Sequence, residues 1–182
     1  LKFPGRNALF MLYLGTLMIP ATVTIVPSFI LMRWFQWANT IWAMTIPGML
    51  GSAFGTFLMR QFFLTIPKEL DEAAVVEGAN KFQVFWHIDL PLARSAMVAL
   101  SVFTILAVWN DFLWPTIMLR DEELYTVTLG LARFGGPGYQ AYTNWTQVMA
   151  ASTMAVIPLI IIFLFAQRYF IKGIAVTGLS GR

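Results

Sequence analysis

Four long apolar runs dominate this chain and leave few folds open to it. They extend over Asn7 to Met32, Ile41 to Phe63, Leu92 to Trp114 and Trp145 to Phe170. About 20 helical residues at 1.5 Å each cross roughly 30 Å of hydrocarbon, so every run is long enough to span a bilayer. Only 12% of the 182 residues are charged and mean hydropathy is +0.70, too little polar surface to clothe a water-soluble globule. The expected fold is all-α, a polytopic transmembrane helical bundle with spans at about 7–32, 41–63, 92–114 and 145–170. Pro20, Pro27, Pro47 and Pro158 fall inside the runs. Lipid tolerates such breaks where neighbouring helices or water satisfy the freed carbonyls, which predicts kinked helices. Gly51 and Gly55 stand at GxxxG spacing, a pattern that fits either a close-packing helix face or a flexible stretch.

The basic residues orient the bundle. Lys2, Arg6, Arg60, Lys68, Lys81, Arg94, Arg168, Lys172 and Arg182 fall on one side of a four-span topology, and Arg33, Arg120 and Arg133 on the other. Positive loops stay cytoplasmic, so the amino end, the middle loop and the carboxyl terminus are expected in the cytoplasm. Trp34, Trp37, Trp42, Trp109, Trp114 and Trp145 gather at the opposite ends of the runs, as an aromatic belt does. The net charge of +3 makes nucleic acid a poor partner, and the absence of cysteine removes disulfides and cysteine metal sites. The chain opens on Leu1 without the short apolar core and small-residue cleavage site of a signal peptide, so a missing upstream portion is expected.

Between the second and third runs, Thr65 to Pro91 is far longer than a tight helix connection requires. Pro67 opens a short helical pattern, Glu69, Asp71 and Glu72 lie near its positive amino end, and Gly78 is a natural stop. Ala74 and Gly78 at i and i+4, with Ala73 beside them, predict a face almost without side chains, which lets another protein approach closely. An amphipathic helix lying on the membrane surface is the plainer alternative.

At these residues the chain resembles a known family. Glu72-Ala73-Ala74, Gly78 and the ending Ile88-Asp89-Leu90-Pro91 match the EAA loop of binding-protein-dependent ABC importer permeases, with Glu77 where that family often has aspartate. Trp109-Asn110-Asp111-Phe112-Leu113-Trp114-Pro115, Trp145 with Met149-Ala150-Ala151, Pro158 and the tail Gln167 to Gly173 resemble its carbohydrate-uptake branch, in particular the maltose-permease G-like half. The resemblance implies the type I importer permease fold, here one permease domain over 1–182 holding the last four spans. Within it, 65–91 forms a cytoplasmic coupling loop in which Glu72, Ala73, Ala74, Gly78, Ile88, Leu90 and Pro91 engage an ATPase. It further implies an ABC ATPase dimer, a second homologous permease subunit, an extracytoplasmic solute-binding protein, and residence in the bacterial inner membrane. The chain itself is expected to bind no cofactor, with ATP and magnesium held by the partner ATPase.

Other chemistry finds little footing. No GxxxxGK[ST] run is present to cradle phosphates, so the energy source lies on a partner. HExxH is absent and His87 is the single histidine, which reads as a satisfied or interfacial side chain rather than a ligand. An enzyme is not expected; an ATP-independent channel or facilitator is the alternative. Trp109, Asn110 and Asp111 at the outer end of the third run are candidates for the substrate path, or else a turn at the membrane surface. The outer segment Thr116 to Asn144, with Gly135-Gly136-Pro137-Gly138, Tyr125, Tyr139 and Tyr142, fits either contact with the binding protein or a solvated loop. The basic tail from Lys172, with Gly173, Gly178 and Gly181, meets lipid or reaches toward the ATPase. The particular sugar or polyol is not legible.

Overall fold

The computed structural model describes residues 3–134 and 145–178. Lys2, the Gly135-Gly136-Pro137-Gly138 turn, Tyr139, Tyr142, Gly181 and Arg182 lie outside the described residues. The described backbone is helical, without strands. In order the helices are α1 (Arg6–Gly15), α2 (Ala21–Trp34), α3 (Ile41–Met49), α4 (Ala53–Phe63), α5 (Lys68–Val76), α6 (Lys81–Val84), α7 (Leu90–Leu92), α8 (Arg94–Trp109), α9 (Leu113–Met118), α10 (Val127–Phe134) and α11 (Trp145–Gly178). Ile41–Phe63 and Trp145–Tyr169 are long and apolar enough to cross a membrane. The pairs Arg6–Met18 with Ala21–Trp34 and Lys81–Leu92 with Arg94–Trp109 join them if each bent pair counts as one span.

The breaks in the first two runs follow proline and glycine. The first run bends by 99° between Met18 and Ala21, where Pro20 disfavours helix for the residue before it and Ile19 turns to extended backbone at ψ 116°. In the second run α3 stops at Met49 and Gly51 takes φ +104°. Gly51 therefore lies outside any helix, so of the two readings of the Gly51 and Gly55 spacing the continuous GxxxG face does not form. The third run is also not one helix: α8 ends at Trp109, and Asn110–Phe112 lead into α9. Pro158 sits inside α11 without ending it, and that helix continues past Phe170 to Gly178. Hydroxyls within the runs commonly bond their own helix, as Thr45 Oγ1 does to the Ile41 carbonyl (3.1 Å) and Ser101 Oγ to that of Met97 (2.8 Å). Such back-bonding keeps polar atoms satisfied in an apolar surround.

The chain divides into two compact units, Leu1–Ala53 with Ile105–Ile161, and Phe54–Thr104 with Ile162–Arg182. In the first, Met32, Ala43, Met118, Leu119 and Leu129 form a buried core against Phe29, Trp37, Met44, Trp114 and Tyr125. Asn39 clasps this unit from a left-handed backbone at φ +60°. Its Nδ2 donates to Asp121 Oδ2 (2.8 Å), and its Oδ1 accepts from the amides of Arg120 (2.8 Å) and Asp121 (3.1 Å). In the second unit the buried positions are mostly alanine, at Ala74, Ala93, Ala96 and Ala166, with Val84 and Val102. Small residues at such positions let helix backbones approach closely.

Candidate coupling site

Helix α5 is bounded by local chemistry. Pro67 stands at its N-cap, and Glu69 and Asp71 occupy the first turn, where the helix dipole favours negative charge. At the other end Gly78 adopts φ +94°. Its amide donates to the Val75 carbonyl (3.0 Å), and the Ala79 amide donates to that of Ala74 (2.9 Å). That pair of bonds is a Schellman cap, which closes the helix with glycine in the left-handed region. Because Gly78 falls beyond the helix end, it does not stack on Ala74 at i+4 as expected. Ala74 instead turns inward and is 9% exposed, whereas Val76 is 88% exposed. Glu72, Ala73 and Gly78 also stand at the surface.

The next element begins two residues later. Asn80 Oδ1 accepts from the amides of Phe82 (3.0 Å) and Gln83 (2.9 Å), while Gln83 Oε1 accepts from the Asn80 amide (2.8 Å). This capping box starts α6, which runs into a π-helical turn over Phe85–Asp89 where the Leu90 amide reaches back to the Phe85 carbonyl. Pro91 has no amide to donate, so the backbone cannot hold a regular ladder across it. Ile88 and Leu90 are half-buried and Pro91 is exposed. Phe82 and Trp86 stack with centroids 6.2 Å apart on the exposed side of this segment. His87 Nδ1 lies 3.1 Å from the Gln83 carbonyl, which makes Nδ1 the donor and leaves the ring engaged in its own turn.

A pair not apparent from the sequence joins α5 to the π-turn. Asp71 Oδ1 is buried without a hydrogen-bond partner among the described residues. Burial raises the Asp89 carboxyl above its ordinary range, and the negative charge of the adjacent Asp71 raises it further. Two carboxyls so placed are accommodated when one keeps its proton and donates to the other. Among the described residues no group of three or more His, Cys, Asp or Glu is arranged to hold a metal ion.

Trp109, Asn110 and Asp111 come together in the turn between α8 and α9. Asn110 Nδ2 donates to the Leu106 carbonyl (2.8 Å), and Asp111 Oδ1 accepts from the Trp114 amide (3.3 Å). Thr128 Oγ1 reaches the carbonyls of Trp109 (3.3 Å) and Asp111 (3.1 Å). These bonds close a helix end and start the next one, the work of a structural turn.

The family model described as "Binding-protein-dependent transport system inner membrane component" matches residues 1–176. The chain belongs to that family. The chain is 38% identical over 179 residues to the arabinooligosaccharides transport system permease protein AraQ of Halalkalibacterium halodurans, covering 98% of this chain and 63% of the relative. It is 38% identical over 177 residues to the sn-glycerol-3-phosphate transport system permease protein UgpE of Yersinia pestis, covering 95% of this chain and 61% of that protein. Its fold matches a bacterial ABC transporter involved in the import of the acidic polysaccharide alginate at a TM-score of 0.79 and 27% identity, over 93% of this chain and 63% of that one. The chain thus spans less than two thirds of the length of these relatives.

Proposed function

We propose that this permease chain is a membrane-spanning part of an ATP-driven carbohydrate importer, coupled through α5 and the turn after it to a separate ATPase. The observation that carries this reading is a helix closed at its carboxyl end by local bonds, whose Glu72, Ala73 and Val76 remain exposed, in a chain whose relatives are transport permeases. A nucleotide-driven subunit biases inward against outward access only if it contacts the two states differently, and a rigid exposed helix transmits such a contact. The full assembly pairs this chain with an ABC ATPase dimer holding ATP and magnesium, a second homologous permease subunit and an extracytoplasmic solute-binding protein. Charge distribution supports a cytoplasmic α5 in the inner membrane, with both ends of this segment on the same side.

The absence of cysteine makes a direct test simple. Ala73→Cys and Val76→Cys in the assembled transporter should crosslink to the ATPase, and uptake should cease when the ATPase is deleted. Crosslinks that never reach an ATPase would overturn the coupling role, and uptake that survives its deletion would establish an ATP-independent facilitator instead.

A further inference from the structure

The segment that follows α5 returns to the membrane at a shallow angle. Lys81–Leu92 is bent by 68° from Arg94–Trp109. With α8 along the bilayer normal, such a segment climbs only about 0.6 Å per residue instead of about 1.5 Å. Trp86 and Phe82 precede Leu92 along this segment, and so stand about 3 Å and about 6 Å above the point where the span begins. The headgroup layer is roughly 5–7 Å deep on each side of the hydrocarbon, which keeps both rings inside it.

A separate contact fixes the same depth. Phe85 packs on Phe63 with ring centroids 6.2 Å apart, and Phe63 is the last residue of the 23-residue helix Ile41–Phe63. That helix is about 34 Å long against roughly 30 Å of hydrocarbon, so its end emerges in the headgroup layer.

What stands exposed at this depth is an aromatic slab. Phe82 and Trp86 stack at an interplanar angle of 13° and are 72% and 55% exposed, so the described residues leave the slab largely bare. Gln83 and His87 are exposed beside it, which gives the segment one apolar and one polar flank. Trp86 is also the tryptophan that stands apart from the belt of the other six. Membranes draw tryptophan to both interfaces, and this end of the runs has no other.

We propose that Phe82 and Trp86 form an interfacial anchor that seats 81–92 in the lipid headgroup layer, with the boundary between phospholipid headgroups and acyl chains as their partner. A water-soluble subunit does not enter that layer, and the rings are continuous with the lipid-facing surface of the spans. The anchor fixes the depth of the turn after α5 and leaves α5 above the membrane. It needs only that the chain is embedded in a membrane, and is independent of the coupling role.

The test uses the assembled transporter in phosphatidylcholine nanodiscs, with partner cysteines replaced and bimane attached at Phe82→Cys, Trp86→Cys or Gln83→Cys. A lipid carrying a doxyl quencher near its headgroup should quench the label at 82 and 86 at least about threefold more than at 83, with or without the ATPase bound. Equal quenching at all three positions overturns the proposal. So does quenching at 82 and 86 that vanishes when the ATPase binds, or that is absent because the second permease subunit covers them. Should thiols at 82 and 86 prevent assembly, Trp86→Phe in the unlabelled transporter decides. The tryptophan emission it removes should be quenched by lipid brominated near the headgroup, and emission that bromine leaves untouched refutes the anchor. Val76→Cys reports on the coupling reading separately: a label there that the ATPase never shields counts against coupling and leaves the lipid result standing.

Discussion

Substitution at Gly78 separates the conformational demand of the turn after α5 from contact with a partner. At φ +94° a residue with a Cβ is strained, yet a Cβ at this position meets no atom within 4 Å. Within this chain the penalty is therefore one of backbone conformation, about 1–2 kcal/mol, and is the same for alanine as for tryptophan. Asparagine visits the left-handed region more readily and suffers less. A penalty near 1.4 kcal/mol lowers the population of the capped turn relative to a frayed one by about tenfold, and weakens the two bonds that close α5, at 3.0 and 2.9 Å. ATP-dependent uptake into vesicles and copurification of the ATPase, measured on Gly78→Asn, Gly78→Ala and Gly78→Trp, give the readout. Asparagine should stay near the unsubstituted protein, alanine should lose several-fold, and tryptophan should lose much more because its bulk meets the ATPase surface. Equal activity for alanine and tryptophan would show that no partner lies against Gly78. Full activity in all three would refute the link between turn geometry and transport.

Three further substitutions test neighbouring features. Asn80→Ala removes the capping box and should destabilise the start of α6 by about 1 kcal/mol, read as faster hydrogen exchange at the Phe82 and Gln83 amides; unchanged exchange would count against the cap. Asp89 has its carboxyl raised by burial and by Asp71, so its arrangement is most stable on the acid side and loses stability as pH rises through the raised value. Asp89→Asn should flatten that dependence in thermal melts of the solubilised complex, and parallel curves for the two proteins would contradict it. Asn39→Ala removes three side-chain hydrogen bonds and leaves alanine at φ +60°, for a loss of about 2–4 kcal/mol. Limited proteolysis between Leu119 and Leu124 should accelerate, and an unaltered digestion pattern would dismiss the clasp.

The features visible in the sequence are those with a local physical cause. Long apolar runs announce themselves because lipid demands them over their whole length. The limits of α5 are legible for a similar reason: Pro67 has no amide to contribute, and Gly78 enters the left-handed region at little cost. The same local logic leaves Gly51 undecided, since a GxxxG pair looks alike whether the chain stays helical or breaks. Ala74 and Gly78 do mislead, because the Schellman cap moves Gly78 off the helix before the spacing applies. Features joining distant positions were hidden for another reason. Asn39 reaches Asp121 across 82 positions, and Asp71 meets Asp89 only after a Schellman cap, a capping box and a π-turn have redirected the backbone. The Asn80 and Gln83 spacing does carry a capping-box signal, which a reading centred on the alanines and glycine passes over.

The tandem of Schellman cap and capping box has a consequence for the energetics of assembly. Both helix ends facing the 77–80 link find their hydrogen bonds inside the chain, so under the proposed coupling role this surface would meet the ATPase already moulded. Each residue ordered beforehand spares roughly 1–2 kcal/mol of backbone entropy at the moment of docking. On that proposal a small cleft on the motor suffices to grip it, and the grip can be released and remade at every turnover without refolding the handle.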